Sequence, residues 1–417
     1  MNLKHLKQGD KKIFNLILKE AKRQSDGIEM IASENHVSPQ VMEAMGSVLT
    51  NKYSEGYPRH RYYAGNQVID EVEDLAIKRA KKLFDAQHVN VQPLSGSPAN
   101  MAVYFALLNP GDKVMGFSLD QGGHLSHGHP LNFSGRLYKI IPYFVDRKTE
   151  IIDMDEVEKI ALREKPKMII AGFSAYSRDF DWRRFASIAK KINAITFADI
   201  AHIAGLIAGK QLKNPVPIFD VVTTTTHKTL RGPRGAIIMC REKYAKAINR
   251  AVFPGLQGGP HDHINAAKAV AFKEALSPGF HTYTAQVIKN AKTLSAELDK
   301  QGVRIVSGGT DNHLMLLDMN SVKLTGKLAE NALDFAGISV NKNMIPYDPR
   351  KPMDPSGIRL GTPAITTRGM KEQEMKLLAS WIVKVFKNHN NNKILEDIRS
   401  DVKQLCKKFP VPGAEQE

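Results

Sequence analysis

Six short apolar runs, separated by longer stretches of helical periodicity, constrain this chain more than any other feature. Lys113–Phe117, Ile140–Val145, Met168–Phe173, Ala194–Ala198, Val221–Thr226 and Ala236–Cys240 are each five to six residues long, with many β-branched or small side chains. Runs of that length and composition suit strands buried on both faces of a sheet. Between them, Asp153–Arg163 and Asp181–Asn193 carry a helical pattern. In the second, Trp182, Phe185, Ile188, Ala189 and Ile192 share one face. Such alternation predicts an α/β domain built on a mainly parallel sheet.

After Pro278 the texture changes. A long helix over Thr282–Gln301 precedes strand-like Arg304–Ser307 and His313–Met319, and a helix near Leu328–Ala336. A strand near Gly357–Leu360 and two closing helices, Lys371–Phe386 and Ile394–Lys407, complete a smaller α+β module. With 417 residues the chain is too long for one ordinary domain. Three parts are expected: an N-terminal helical arm (1–30), a large α/β domain (31–280) and a small C-terminal domain (281–417). Leu3, Leu6, Ile13, Phe14, Ile17 and Leu18 form the apolar side of the arm, which must be covered by the chain's own body or by a partner subunit.

The ends and the cysteines exclude several classes. Cys240 and Cys406 are the only cysteines, too few for a disulfide framework or a structural zinc site, and no metal site is expected. Cys240 ends an apolar run and is expected to be a buried thiol. The N-terminus lacks the apolar core of a signal peptide, and no stretch reaches the ~20 apolar residues of a membrane span. A soluble, cytoplasmic chain with no membrane partner is expected. The net charge of +16 raises nucleic acid as a partner, yet no aromatic-interleaved basic run or binding module accompanies it. Residues 1–24, 161–193 and 227–250 hold the surplus, with +5, +5 and +6, and the remainder is neutral.

Three segments carry chemistry. Val221–Thr226 delivers His227 and Lys228 into the loop Thr229-Leu230-Arg231-Gly232-Pro233-Arg234-Gly235. A lysine at a strand end, flanked by Arg231 and Arg234, is biased toward acting as an amine nucleophile, although an ordinary surface lysine fits this segment alone. Asp199 and His202 stand at another strand end, the ligand side of open α/β sheets. Asp199 can face a pyridinium nitrogen or cap a helix, and His202 can reach a neighbouring oxygen or fill the core. Ser95-Gly96-Ser97-Pro98 runs into the apolar helix Met101–Leu108, where free amides and the helix dipole bind phosphate, or where a serine simply caps the helix. Pro98 suits the first turn. Together, a phosphate cradle, a carboxylate and an imine-forming lysine in chain order are what pyridoxal phosphate needs.

At this point the sequence closely resembles the serine hydroxymethyltransferase family. The matching segments begin with Glu29-Met30-Ile31-Ala32-Ser33-Glu34-Asn35 and Asn51-Lys52-Tyr53-Ser54-Glu55-Gly56-Tyr57-Pro58. They continue with Gly122-Gly123-His124-Leu125-Ser126-His127-Gly128, the loop at Lys228, and Gln257-Gly258-Gly259-Pro260. Ser307-Gly308-Gly309-Thr310-Asp311-Asn312-His313 and Arg359-Leu360-Gly361-Thr362-Pro363-Ala364-Ile365-Thr366 close the set. The resemblance implies an aspartate-aminotransferase-like fold (PLP fold type I) with a seven-stranded, mainly parallel sheet. It also implies reversible conversion of serine and tetrahydrofolate to glycine and 5,10-methylenetetrahydrofolate, with aldol cleavage of 3-hydroxy amino acids as a side activity. A threonine aldolase-type lyase is the alternative, because it would use the same lysine and arginine.

The resemblance further implies roles for individual residues. Lys228 forms the internal aldimine, Asp199 bonds the ring nitrogen, His202 bonds the ring hydroxyl and His124 stacks on the ring face. Ser95, Gly96 and Ser97 cradle the phosphate, and Ser174 lies beside the ring. Tyr53, Gly258 and Gly259 reach the phosphate of the other subunit of a homodimer. Arg359 clamps the substrate carboxylate, a bidentate task suited to a guanidinium, with Ser33 and Tyr63 assisting. Glu55 handles the hydroxyl or folate proton, a role that favours a raised pKa. His227 shapes specificity, while Leu119, Gly123, Leu125, Asn343 and Lys351, Pro352 and Met353 contact folate. Part of the basic surplus near Lys228 then serves to steer anionic substrates. Two departures stand out. Pro98 replaces a usual glutamine, which bears on cofactor affinity, and Arg59-His60 replaces a usual glycine-containing pair.

Overall fold

All six predicted runs become strands of one sheet, and a seventh joins them at an edge. In the computed structural model, which describes residues 3–414, the sheet consists of β1 His88–Asn90, β2 Lys113–Phe117, β3 Lys139–Tyr143, β4 Met168–Gly172, β5 Ile195–Asp199, β6 Val221–Thr225 and β7 Ala236–Cys240. Their order is β1-β7-β6-β5-β4-β2-β3. Pairing is parallel from β6 through β5, β4 and β2 to β3, and only β7 runs against its neighbours β6 and β1. The sheet is therefore seven-stranded and mainly parallel, as the resemblance implies.

Burial explains the run-like sequence of the strands. Every residue of β4, β6 and β7 is buried, so no alternation with polar residues is possible. β1 has only three residues, too few for a periodic signal. Strand ends shift by a residue or two from the expected ones. One shift matters: β5 ends on Asp199, whose backbone pairs with Gly172 and Thr223 on its two sides.

Five helices of this unit bear on the site or the sheet: α1 Gln67–Phe84, α2 Gly96–Leu107, α3 Met154–Glu164, α4 Trp182–Lys191 and α5 Asp262–Ala275. Asp153 and Asp181 cap α3 and α4 by accepting from first-turn amides. The predicted apolar face of α4 is buried through Trp182, Phe185, Ile188 and Ala189. α2 begins at Gly96 rather than Met101, which places Pro98 in its first turn. Cys240 is a buried thiol, and burial pushes it up to about 12.

The described residues fall into two units, one bounded by Gln40–Ala285 and one formed by Met1–Pro39 with Gln286–Glu417. The sheet above belongs to the first. The second holds a four-stranded antiparallel sheet of β8 Arg304–Ile305, β9 Leu314–Asp318, β10 Asn341–Asn343 and β11 Gly357–Gly361, in the order β8-β9-β11-β10. Its core includes Leu294, Leu298, Met315, Leu317, Leu378, Ile382 and Ile398.

The N-terminal segment groups with this second unit. Of the expected parts, residues 1–2 and 415–417 lie outside the described residues. Ile28–Glu29 pairs in parallel with Ile338–Ser339, and Ile28 and Met30 enter the core. Arg368, 5% exposed, donates to the carbonyls of Ser25, Gly27, Cys406 and Phe409 at 3.1, 2.6, 3.2 and 2.7 Å. That guanidinium ties the C-terminal ends of the helices Lys11–Asp26 and Asn392–Lys408 to one point. Of the apolar stripe, Leu6, Phe14, Ile17 and Leu18 are half-buried, whereas Ile13 is exposed. No described helix is long and apolar enough to cross a membrane.

Candidate active site

The loop after β6 is closed on itself by Thr226. Its N–H donates to Gly235 O at 3.0 Å, its hydroxyl donates to Pro233 O at 2.5 Å, and its carbonyl accepts from Gly232 N–H at 2.7 Å. Lys228 therefore sits on a short, fixed loop at the C-terminal edge of the sheet. The buried Thr229 joins this loop to the one after β5. Its hydroxyl donates to His202 O at 2.8 Å and accepts from Gly205 N–H at 3.0 Å. His202 is buried, with its ring stacked on Phe173 at 6.1 Å. Arg231 adopts φ +59°, and its guanidinium lies 4.6 Å from the Tyr283 ring centroid.

Asp199 is the most constrained side chain of the site. One carboxylate oxygen accepts from Ala201 N–H at 3.1 Å. The other accepts from Asn100 Nδ2 at 2.8 Å and His127 Nε2 at 3.1 Å. His127 Nδ1 accepts from His124 N–H at 3.3 Å, which assigns the ring proton to Nε2 and makes it the donor to Asp199. Asn100 is held in turn by the Thr223 hydroxyl, which donates to its Oδ1 at 2.6 Å, and it also donates to Ser126 Oγ at 2.7 Å. Burial alone would raise the Asp199 pKa. The donors from His127 and Asn100 and the nearby imidazoles outweigh burial and hold the carboxyl below its usual range, so it is a buried carboxylate at neutral pH. Asp199 caps no helix.

The same helix that supplies Asn100 begins at the serine-glycine turn. Ser95 stands in the N-cap position with extended backbone, but its hydroxyl makes no capping bond, so the plain serine-capped alternative does not hold. Gly96 is required by packing, since a Cβ there would lie 2.9 Å from Thr225 Cγ2. Ser95, Gly96 and Ser97 are half-buried at the positive end of α2. Pro98 costs no hydrogen bond at this position.

Two further imidazoles stay neutral. Burial pushes His124 down to about 4, with Asp199 opposing and His127 and Lys228 assisting. Burial, Lys228 and Arg234 push His227 down to about 3, and its Nδ1 is buried without a partner. A neutral His124 ring suits stacking on an aromatic cofactor. Ser174 N–H donates to Gly122 O at 2.8 Å, which fixes it near the glycine pair before His124.

This donor set fits pyridoxal phosphate. Amides and hydroxyls at a helix start match a phosphate, a buried carboxylate matches a protonated ring nitrogen, and Lys228 matches an aldehyde. His124, His127 and Asp199 also present ligand-type atoms within 4.8 Å of one another. The Nδ1 of His127 and of His124 each already accept an N–H, and His127 Nε2 donates to Asp199. A metal would therefore have to break this network.

A second cluster in the same unit gathers Tyr53, Glu55, Tyr63, Gly258 and Gly259. A Cβ at Gly258 would lie 3.1 Å from Glu55 Oε1, and one at Gly259 would lie 3.2 Å from Tyr53 Cε1. Tyr53 and Tyr63 meet edge to face at 5.3 Å, and Asn66 Nδ2 donates to both of their carbonyls. Both rings are at least half exposed, 56% and 50%, so they are not core packing aromatics. The neighbouring hairpin is organised by Arg61, which donates to Asp70, Glu73, Ser54 O and Gly56 O. Arg59 adopts φ +66°, the conformation a glycine would favour, with its N–H bonded to Asp70 at 2.7 Å and its side chain paired with Asp74.

In the other unit, Arg359 lies on the inner strand β11, 9% exposed, and donates to Asn341 Oδ1 at 3.0 Å. Burial pushes its guanidinium down to about 10. Gly361 N–H donates to Met30 O at 2.8 Å, which brings the Met30–Ser33 segment alongside the end of that strand. Asn343 is half-buried on β10, and Lys351, Pro352 and Met353 are exposed. Leu119 and Leu125 are also exposed, and Leu119 and His124 help line a cavity of about 370 Å³ in the sheet unit. Gly123 and Leu125 are outside that lining.

Asn100, His127 and Lys268 were not singled out from the sequence. Asn100 carried a usable signal, because it falls one helical turn after Gly96 and so shares its face. His127 and Lys268 act through long-range contacts that no local pattern announces. Against known proteins, a family model described as serine hydroxymethyltransferase matches residues 6–382.

Proposed function

Because the chain belongs to the serine hydroxymethyltransferase family, we propose that it catalyses the pyridoxal phosphate-dependent, reversible conversion of L-serine and tetrahydrofolate to glycine and 5,10-methylenetetrahydrofolate. The observation that supports this reading best is Asp199, a buried carboxylate kept ionised by donors from α2 and from His127. A carboxylate in that state has one obvious use beside a lysine loop and a phosphate-type turn: to keep a ring nitrogen protonated. Bound there, pyridoxal phosphate supplies an electron sink for the pair released when the serine Cα–Cβ bond breaks.

In this reading the chain's residues orient the groups and move protons. Lys228 Nζ holds the cofactor covalently, and Ser95, Gly96 and Ser97 hold its phosphate. Asp199 retains the proton on the ring nitrogen, His202 and Ser174 bond the ring periphery, and the neutral His124 covers one face. Arg359 binds the amino-acid carboxylate, and Ser33 and Tyr63 assist in holding the substrate. Glu55 takes up and returns the hydroxyl proton, and His227 limits which side chains enter. Leu119, Gly123, Leu125, Asn343 and Lys351–Met353 receive the folate. Tyr53, Gly258 and Gly259 serve the phosphate bound by a second copy, so the active form is a homodimer. Exposed Tyr53 and Tyr63 are consistent with that assignment. The reaction is assigned to the cytoplasm.

The test is exchange of the glycine α-proton with solvent, followed by NMR with and without tetrahydrofolate. The transferase predicts exchange strongly stimulated by the folate. Exchange indifferent to folate, together with cleavage of 3-hydroxy amino acids, would instead identify an aldolase-type lyase.

A further inference from the structure

Lys268 is a fully buried lysine, 1% exposed, that the reaction above does not use. It lies on α5, the helix that follows Gln257-Gly258-Gly259-Pro260. Its ammonium donates to Val91 O at 2.5 Å, Pro93 O at 3.2 Å and Asn265 Oδ1 at 3.3 Å. Three donors thus meet three acceptors, with no ion pair. The side-chain stem lies against Gly235, where a Cβ would come within 2.5 Å of Lys268 Cε.

Val91 O needs a side-chain donor because of where it stands, and Pro93 O takes one in addition to a backbone amide. β1 ends at Asn90, and beyond it, on the way to the Ser95–Ser97 turn, Pro93 O still accepts from Ala236 N–H of β7 at 3.2 Å, whereas the buried Val91 O is met by Lys268. Gln257, at the opposite end of the glycine pair, completes the attachment. Its Nε2 donates to Gln92 O at 3.0 Å, and its Oε1 accepts from Leu94 N–H at 3.2 Å. Two side chains that flank Gly258-Gly259 therefore hold the backbone of 91–94, immediately before the turn. Desolvating an ammonium is costly, and burial pushes Lys268 down to about 7 against the partial support of Glu73. A methionine would fill the space without that cost, but would leave the buried Val91 carbonyl without its donor.

We propose that Lys268 and Gln257 are positioning residues that lock the Ser95–Ser97 turn and the Gly258-Gly259 loop of one subunit into a single rigid piece. Each subunit then presents two phosphate-binding segments in fixed register, one for its own cofactor and one for its neighbour's. This proposal rests on the pyridoxal phosphate reading.

The test compares pyridoxal 5′-phosphate with pyridoxal, which lacks the phosphate, in titrations of the full-length apoprotein followed by visible absorbance. For Lys268→Met the dissociation constant for pyridoxal phosphate is expected to rise about tenfold or more. Gln257→Leu, at a half-buried position, should move it in the same direction by less, and pyridoxal binding should stay within about twofold of wild type in both. Unchanged pyridoxal phosphate affinity would overturn the proposal, as would equal weakening of both ligands, which marks general loosening. If Lys268→Met does not fold, Gln257→Leu alone decides between these outcomes. A wild-type protein that binds neither ligand would overturn the cofactor reading, and this proposal with it; unaffected variants of a cofactor-binding wild type would sink the proposal alone.

Discussion

Asp199 and Glu29 are both buried carboxylates, and their surroundings send them in opposite directions. Asp199 collects donors from Asn100, His127 and Ala201, which outweigh burial and keep it charged. Glu29 accepts the Ile31 amide at 3.0 Å but otherwise faces the Glu34 carboxyl, so burial and then Glu34 push it up from 4.5 to about 8. The linkage has a definite sign. Between those two values the folded protein keeps a proton that the unfolded chain releases, so stability falls as pH rises through this window. Glu29→Gln should flatten that decline in thermal melts taken from pH 5 to pH 8, and a variant with the wild-type slope would contradict the assignment. At this scale the sequence was legible where chemistry sits at strand ends. Lys228, Asp199 and His202 could be picked out because Gly, Pro or a polar residue follows an apolar run. The residues around them were less so: Asn100 shows only as a neighbour one turn after Gly96, and His127 reaches Asp199 from a segment that only folding brings near.

Among the elements, α2 carries the densest function. Its first turn presents Ser95–Ser97, and Asn100 one turn later bonds Asp199, so one rigid helix sets the spacing between that turn and the buried carboxylate. The six long strands were readable because complete burial imposes an apolar run. The strand His88–Asn90 and the hairpin Gly56-Tyr57/His60-Arg61 were not, because pieces of two or three residues carry no period. That hairpin is instead specified by the buried pair of Arg61 with Glu73 at 2.7 Å, with Gln92 Nε2 also donating to Glu73 at 2.9 Å. Removing Glu73 strips Arg61 of its most buried partner and leaves it with Asp70 and two carbonyls. Glu73→Leu should cost about 1–3 kcal/mol in urea denaturation. A loss below about 1 kcal/mol would show that the hairpin is held by other contacts.

Over the whole molecule, the division into two units was only partly readable. The change of texture near Pro278 is a sequence signal, and the cut itself falls after Ala285. The grouping of the first 39 residues with the C-terminal part has no such signal, because it depends on Ile28 pairing with Ile338 and on Arg368 gathering distant carbonyls. The charge surplus also resolves by location. Basic residues of 161–193 pair with acidic ones: Arg184 with Asp155 and Glu158, Lys191 with Glu158, and Lys167 with Asp112. Near the lysine loop, Arg231 is engaged with Tyr283 instead. The central claim is that one lysine among many holds the cofactor. Purified protein incubated with pyridoxal phosphate should absorb in the visible, and borohydride should fix the cofactor on the peptide containing Lys228, as read by mass spectrometry. Label confined to Lys228 is the predicted result; no label, or label spread over other lysines while Lys228 stays unmodified, would contradict the account.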